Sequence, residues 1–335
     1  MSQKPCYILG IESSCDETSA AILKNNVVLS NIIANQKVHK EYGGVVPELA
    51  SREHQKNIIP VVEMALNKAK IKKNTLSAVA YTRGPGLLGS LLVGSSFAKS
   101  FSMGLKIPLI EVNHMQAHIL CHFIGNELKP KFPFIGVTLS GGHTQIILVK
   151  NYFEMKIIGS TIDDAIGEAF DKCGKMLGLE YPSGPKIDEL SKKGNPDCFK
   201  FPIPKVGGYN VSYSGFKTSV LNFLNKKNKK FINQNLHDLC ASIQNTLIKI
   251  IIEKVKLSIN DTKNNTIAIG GGVSANSSLR DELKKLSKKH KWNVFFPKLE
   301  YTTDNAAMIG IVGFLKYKNE KFSSINSKCE PKLKI

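Results

Sequence analysis

A strand, a short turn of small polar residues and a returning strand occur twice in this sequence, about 130 residues apart. The first copy is predicted at residues 7–12 and 18–23, and the second at residues 134–139 and 145–149. Apolar strands that flank a tight turn of this composition are typical of β-hairpins. Because each hairpin opens one half of the chain, the pattern predicts a duplicated fold.

Helical patterns alternate with single strands after each hairpin. Predicted helices lie at 47–58, 87–103, 163–177, 186–193, 236–258 and 277–289, with strands at 77–82, 109–112 and 266–269. This order predicts an α/β protein of two related lobes with a cleft between them. We expect an N-terminal lobe of residues 1–131 and about 306–325, a C-terminal lobe of residues 132–305, and a frayed basic tail at 326–335.

The chain of 335 residues carries a formal charge of +19, and only three of its 46 basic residues are arginines. A lysine-dominated surface attracts polyanions at long range but does not read them through bidentate contacts. RNA, DNA, an acidic membrane and a merely solvated surface are all consistent with this charge.

Seven scattered cysteines form no CxxC pair, a pattern that favours a reducing compartment without a disulfide framework. The sequence also has no apolar run of membrane-spanning length. We therefore expect a cytoplasmic protein that does not bind membranes.

Two glycine-rich turns are candidates for binding phosphate. Residues 140–144 (SGGHT) lie between two predicted strands, and residues 270–276 (GGGVSAN) lie between a strand and a helix. Glycines permit a ligand to approach the backbone closely, and N–H groups at such turns bind phosphate. Neither turn is a P-loop, because no Gly-Lys-Ser/Thr follows. Asn276 has two interpretations, a contact to ribose or base and a cap on the following helix.

His114 and His118 are spaced four residues apart, so on a helix they share one face and can bind one metal ion. Asp304 is a candidate further ligand, although an Asp directly before a helix is also a favoured N-cap. Glu12 and Asp16 form a carboxylate pair beside the first predicted turn.

Glu168 and Asp171 share a helical face, where they either act on substrate hydroxyls or pair with Lys172 and Lys175. The sequence alone leaves both possibilities open.

Taken together, the motifs resemble the tRNA N6-adenosine threonylcarbamoyltransferase family over essentially the whole chain. The matching stretches are 10–18 (GIESSCDET), 46–52 (VPELASR), 84–87 (GPGL), 113–118 (NHMQAH), 140–144 (SGGHT), 168–172 (EAFDK), 181–185 (YPSGP) and 270–276 (GGGVSAN). The resemblance implies the actin/sugar-kinase/Hsp70-like fold, in which two duplicated RNase H-like lobes surround a nucleotide cleft. It also implies transfer of a threonylcarbamoyl group from threonylcarbamoyl-AMP to N6 of the adenosine 3′ of the anticodon in tRNAs reading ANN codons, with release of AMP.

The same resemblance implies that His114, His118 and Asp304 hold one divalent metal ion per subunit, with iron expected and zinc or magnesium as alternatives. The residues implied to bind nucleotide and threonylcarbamoyl are Thr138, Leu139, Ser140, Gly141, Gly142, Asp171, Gly184, Asp188 and Asn276. Glu12 and Asp16 are the candidate catalytic residues, as acceptors of the amine proton. The implied partners are tRNA, a homologue of the N-terminal lobe and a small ATPase.

Three other functions compete with the transferase. A phosphotransferase or ATPase of the same fold would share the phosphate loops, and a non-catalytic scaffold would share the charge. A metalloprotease would share the histidine pair, but HExxH chemistry needs a glutamate between the histidines. This chain has Met115-Gln116-Ala117 there, which disfavours the protease.

Overall fold

The computed structural model describes residues 4–36, 38–125 and 127–335. These residues form two compact units, Met1–Lys129 with Thr303–Ile335, and Pro130–Thr302. The strands are β1 (Tyr7–Glu12), β2 (Glu17–Lys24), β3 (Val27–Asn35), β4 (Ala78–Gly84), β5 (Leu109–Asn113), β6 (Phe134–Leu139), β7 (Thr144–Val149), β8 (Met155–Ser160), β9 (Thr266–Gly270) and β10 (Asn293–Phe295).

The α-helices are α1 (His39–Tyr42), α2 (Pro47–Ala69), α3 (Leu88–Leu105), α4 (His114–Leu120), α5 (Ile166–Met176), α6 (Gly184–Ser191), α7 (Ser214–Leu224), α8 (Lys229–Gln234), α9 (Leu236–Thr262), α10 (Ser277–His290) and α11 (Ala306–Lys318). Short 3-10 helices lie at Lys73–Thr75, Cys121–Phe123, Gly272–Ala275 and Leu299–Tyr301. No helix in the described part of the chain combines the length and apolar character needed to cross a membrane. All seven cysteines are free thiols.

Each unit is built on a five-stranded sheet, and the two sheets have the same topology. The strand orders are β3-β2-β1-β4-β5 and β10-β9-β6-β7-β8. In each unit the first three strands pair antiparallel, and the last two continue the sheet parallel to the first strand. This match confirms the predicted duplication and the α/β class. The third strand of each sheet, β3 and β8, was not predicted as a separate strand.

Helices cover both faces of the first sheet, so β1 reads as a nearly continuous apolar run rather than an alternating one. The C-terminal helix α11 packs especially closely on β1. A Cβ at Gly10 would lie 2.4 Å from the carbonyl oxygen of Ala306 and 2.7 Å from the nitrogen of Gly310. Glycine at position 10 is therefore required by the close approach of the helix backbone.

The structure corrects two expectations about the C-terminal segment. Asp304, expected in the C-terminal lobe, belongs to the first unit, because the chain crosses back at residue 303. Residues 326–335, expected to fray, are hydrogen-bonded along the first unit. Arg83 Nε donates to the Lys328 carbonyl at 3.1 Å, and the Gly86 N–H donates to the Pro331 carbonyl at 3.1 Å.

One helix is also longer than predicted. We expected a helix at 47–58, but α2 continues to Ala69, with Pro60 inside it. Its buried face packs into the core of the first unit through Ile58, Val61 and Ala65. Apolar packing over the added turns outweighs the hydrogen bond that the proline cannot donate.

Candidate metal centre and phosphate loops

Strand β5 passes directly into α4, and the junction sets the direction of the histidine-bearing helix. The Asn113 side chain caps α4 by accepting hydrogen bonds from the Met115 N–H at 2.9 Å and the Gln116 N–H at 3.1 Å. His114 and His118 follow one turn apart, and both side chains are buried. The sequence prediction that the two histidines share a helical face is confirmed.

Asp304 completes a cluster with these two histidines. Its Oδ1 lies 3.1 Å from His118 Nε2 and 3.4 Å from His114 Nε2, and the two Nε2 atoms are 3.2 Å apart. Asp304 is not the cap of α11, because Asn305 accepts the hydrogen bond from the Met308 N–H at 3.1 Å. The structure thus favours the ligand interpretation of Asp304 over the capping interpretation.

Glu12 approaches His114 from the opposite side of its ring. Glu12 Oε2 lies 3.0 Å from His114 Nδ1, while Oε2 also accepts from Thr82 Oγ1 at 2.6 Å and Oε1 accepts from the Ser14 N–H at 2.5 Å. The Glu12 side chain is fully buried. This arrangement places a proton on His114 Nδ1, which leaves Nε2, on the side of Asp304, as the nitrogen that could bind a metal ion.

The charges in the cluster are coupled. Burial alone would lower the pKa of His114, but Asp304 and Glu12 outweigh burial and hold that pKa well above its ordinary value. Burial would likewise raise the pKa of both carboxyls, yet His114 holds the pKa of Glu12 and of Asp304 below the usual range. The titration of His114 is therefore coupled to that of Glu12 and Asp304, each stabilising the charged form of the other.

The three ligand atoms fit a divalent transition metal. The His114, His118 and Asp304 donor atoms all lie within 4.8 Å of one another, so a single ion can contact all three. Two imidazole nitrogens and one carboxylate oxygen suit iron or zinc, whereas magnesium prefers oxygen ligands. Glu12 adds the outer carboxylate that commonly orients a metal-binding histidine. The cluster can hold a metal ion.

Two further acidic residues follow β1: Asp16 on the turn and Glu17 as the first residue of β2. Asp16, a predicted catalytic residue, is part-exposed there. Glu17 was missed by the sequence analysis. Burial, followed by the nearby Asp304 and Asp16, raises the pKa of Glu17 well above its ordinary value. Only its adjacency to Asp16 in the sequence could have drawn attention to it.

In the second unit, the turn at 140–144 closes the β6–β7 hairpin. Ser140 Oγ accepts a hydrogen bond from the His143 N–H at 3.1 Å. Gly141 and Gly142 are exposed, and a Cβ on either would have no atom within 4 Å. Packing within the unit therefore does not require these two glycines, and their open surface can accept a ligand close to the backbone.

The second glycine-rich turn lies directly beside the end of β6. Thr138 pairs with Gly270 across the parallel strands β6 and β9. Gly271 has φ +86°, and a Cβ there would lie 2.5 Å from the Leu139 carbonyl oxygen. Thr138 Oγ1 and Ser274 Oγ are buried without a hydrogen-bond partner among the described residues. Ligands of open α/β sheets bind at such carboxyl ends of parallel strands.

The other predicted nucleotide-binding residues make contacts within the second unit. Asp171 Oδ1 accepts from the Ser183 N–H at 2.7 Å and the Gly184 N–H at 3.3 Å. Burial raises the pKa of Asp171 despite these two donors. Asp188 accepts from the N–H and the Oγ of Ser277 at 3.1 and 2.8 Å. Asp171 and Asp188 therefore connect α5 and α10 to the loop and helix around α6.

Asn276 and Glu168 make the structural contacts that the sequence offered as alternatives to ligand binding: a helix cap for Asn276 and a lysine pair for Glu168. Asn276 caps α10, because its side chain accepts from the Leu279 N–H at 2.9 Å, and it also donates to Gln244. Glu168 pairs with Lys172 at 2.7 Å. Ligand contacts by Asp171, Gly184, Asp188 and Asn276 remain predictions.

Comparison with solved structures defines the class of fold. A ROK hexokinase from Thermus thermophilus superposes with a TM-score of 0.51 at 10% identity, over 93% of this chain and 99% of that one. Component A of (R)-2-hydroxyglutaryl-CoA dehydratase from Acidaminococcus fermentans gives a TM-score of 0.54 at 15% identity, over the same shares. The chain has the actin/sugar-kinase/Hsp70-like fold, as predicted; identities this low establish the fold alone.

Sequence comparison then gives the family. Residues 27–311 match the tRNA N6-adenosine threonylcarbamoyltransferase family. A protein of that name from Christiangramia forsetii is 58% identical over 340 residues and covers 100% of both chains. Another from Riemerella anatipestifer is 57% identical over 329 residues, covering 97% of this chain and 96% of its own. The chain belongs to this family, and the predicted resemblance is confirmed.

Proposed function

We propose that this protein transfers the threonylcarbamoyl group from threonylcarbamoyl-AMP to N6 of the adenosine 3′ of the anticodon in tRNAs reading ANN codons, releasing AMP. Full-length relatives at 57–58% identity bear the name of this transferase. The observation that carries the proposal is the cluster of His114, His118 and Asp304, which could hold a metal ion in a chain that has the fold of this family.

The chemistry that the site must perform is acyl transfer to a weak nucleophile. An exocyclic amine reacts slowly, so the catalyst must activate and position the acyl donor, whose mixed anhydride supplies AMP as the leaving group. A divalent ion, which we propose to be iron, supplies positive charge that stabilises developing negative charge on phosphate or carbamoyl oxygen. His114, His118 and Asp304 would hold it.

Glu12 and Asp16 take different roles in this proposal. The Glu12 oxygens are occupied by Ser14, Thr82 and His114, and the side chain has no exposed surface. Glu12 therefore orients His114 rather than contacting substrate. Asp16 is part-exposed, and it remains the candidate to accept the amine proton.

The two glycine-rich turns are proposed to bind the phosphate and acyl portions of the donor. The open backbone at Gly141 and Gly142 supports this assignment, as do the unpartnered hydroxyls of Thr138 and Ser274 beside it. Leu139 and Ser140 contribute backbone at the same turn. Asp171, Gly184, Asp188 and Asn276 are proposed to complete the binding surface, with Asn276 keeping its helix-capping hydrogen bond.

An accessory protein is proposed to dock on α3. Leu88, Leu92 and Met103 are 52, 48 and 65% exposed. The same helical face carries the exposed Ser96 and the half-buried Lys99, whose ammonium donates to the Ser327 carbonyl. A helix face with several exposed apolar side chains is typical of a protein interface. By the family resemblance, its partner is a homologue of the N-terminal lobe; a small ATPase is proposed on the resemblance alone. The free thiols support a cytoplasmic setting.

The experiment that tests the function is a transfer assay. Purified protein, its accessory partners, threonylcarbamoyl-AMP and unmodified ANN-decoding tRNA are incubated, and the digested nucleosides are analysed by mass spectrometry. We expect threonylcarbamoyladenosine. Absence of product when the partners are known to be active would reject the proposal. Steady ATP turnover without tRNA or acyl donor would instead favour a phosphotransferase of the same fold.

A further inference from the structure

A long segment of the second unit carries positive charge without any acidic residue. Between Asp197 and Asp238 the chain contains seven lysines and no aspartate or glutamate. Four of these lysines lie within five residues: Lys226 and Lys227 follow α7, and Lys229 and Lys230 begin α8. We refer to residues 226–230 as the 226–230 turn. All four side chains are exposed.

These four lysines form no ion pair with a described acidic residue. Some lysines elsewhere are paired: on α10, Lys284 lies 3.7 Å from Asp281, and on α5, Lys172 contacts both Asp164 and Glu168. Unneutralised charge at the 226–230 turn therefore remains available to an external anion.

Aromatic packing fixes the turn in place. The ring of Phe223 lies 5.3 Å from Phe199, 5.7 Å from Phe201 and 6.3 Å from Phe231, measured between centroids. The Lys227 ammonium lies 4.7 Å from the centroid of Phe231. This packing holds the segment around residue 200 against the 226–230 turn.

The backbone of the turn is also held. The Asn228 side chain accepts a hydrogen bond from the Phe231 N–H at 2.8 Å, and the Lys227 N–H donates to the Leu224 carbonyl at 2.9 Å. The lysines therefore extend from an ordered turn, which lowers the entropy lost when they contact a partner.

We infer that Lys226, Lys227, Lys229 and Lys230 form a docking surface for the tRNA sugar-phosphate backbone. The inference rests on the proposed function, which makes tRNA the substrate. Flexible ammonium groups neutralise phosphates without reading sequence, so the surface contributes affinity shared by all tRNAs rather than choice among them.

The test compares two variants with equal change of charge. One carries glutamine at 226, 227, 229 and 230; the control carries glutamine at the exposed α10 positions 284, 285, 288 and 289. We expect the first to raise the Kd for tRNA at least about tenfold at 0.15 M salt. Its slope of log affinity against log salt should be shallower by about 3. The control should change both quantities much less, and arginine at the four turn positions should restore affinity.

Equal losses in the two variants would show a general effect of net charge and overturn the inference, as would unchanged tRNA affinity in the turn variant. The surface would instead bind membranes if the wild-type protein binds anionic phospholipid vesicles and the turn variant does not, while the two proteins have equal affinity for tRNA. In the transfer assay, we expect the turn variant to raise KM for tRNA and to keep kcat. If the wild-type protein makes no product, the proposed function is rejected. The comparison of tRNA affinities still tests the proposed docking surface in that case.

Discussion

Glu12 Oε2 lies 3.0 Å from His114 Nδ1, and this contact joins the end of β1 to the first residue of α4. It fixes both the ring orientation and the protonated nitrogen of a candidate metal ligand. A residue that looks catalytic in the sequence thus acts on the site through another side chain.

Glu12→Gln should weaken metal binding by about 10- to 100-fold, because an amide accepts the Nδ1 proton less strongly than a carboxylate. Titration with Fe²⁺ or Zn²⁺ under anaerobic conditions measures the effect directly, without reference to activity. Glu111→Gln is the matched control, since Glu111 is a carboxylate of the same sheet that pairs with Arg83 at 2.8 Å. Equal metal affinity in wild type and Glu12→Gln would remove the orienting role.

His114→Ala and His118→Ala should each lose bound metal and transfer activity together, because each removes one of three ligand atoms. His122→Ala provides the control, since His122 is the next histidine along the chain but does not belong to the cluster. Metal content is measured by elemental analysis and transfer by nucleoside mass spectrometry. Full transfer after complete loss of metal would contradict the assigned role of the ion.

Gly10→Ala should destabilise the first unit by about 1–3 kcal/mol, because the new methyl group overlaps the backbone of α11. Gly104→Ala has the opposite expectation. It lies near the end of α3 with open space around its Cβ, and alanine there should stabilise by up to about 1 kcal/mol. Urea unfolding of both variants tests the pair, and similar free energies of unfolding would argue against close packing of α11 on β1.

Asp164→Asn should cost about 1 kcal/mol at pH 7, because Asp164 pairs with Lys217 at 2.6 Å and Lys172 at 3.0 Å. Burial would raise the pKa of Asp164, but the two lysines hold it below its ordinary value. A carboxyl whose pKa is lower in the folded state than in the unfolded state stabilises the fold fully at pH values above the unfolded pKa of about 3.9. This stabilisation is lost as the pH falls through the folded pKa. The difference between wild type and variant should therefore shrink below about pH 4.

Denaturant unfolding at pH 7 and at several values below pH 4 measures this difference. Asp281→Asn is the control, because the exposed Asp281–Lys284 pair contributes little. A difference for Asp164→Asn that grows on acidification would have the wrong sign and would refute the pairing argument.

Arg83→Gln should release the C-terminal tail. Arg83 bonds to Glu111 and Glu330 as well as to the Lys328 carbonyl, and loss of these contacts should cost about 1–3 kcal/mol. Hydrogen exchange at residues 326–335 should accelerate relative to wild type, while Arg52→Gln, with the same change in charge, should leave it unchanged. Equally slow exchange in all three proteins would show that the tail is held by other contacts.

Local patterns carried most of what the sequence predicted. The hairpins are visible because alternation and small polar turns are properties of neighbouring residues, and His114 with His118 because four residues make one helical turn. Asp304 stayed ambiguous because an acid before a helix is either a cap or free to act, and only the Asn305 cap decides between them.

The features that the sequence did not predict depend on contacts between residues that are far apart in the chain. The partner of Glu12 lies 102 residues away, and that of Arg83 in the tail lies 245 residues away. Nothing near residues 326–335 in the sequence predicts that an arginine on β4 will hold them. The tail was therefore expected to fray on composition alone.

The chain crosses back into the first unit at residue 303, and this crossing determines the order in which the two units can fold during translation. Helix α11 covers β1, yet the ribosome makes it only after all of Pro130–Thr302. During translation the second unit can fold as it emerges, whereas the first waits with the α11 face of its sheet uncovered. A nascent chain that stops before Asp304 contains both histidines but lacks their carboxylate partner, so the three candidate metal ligands come together only near the end of synthesis.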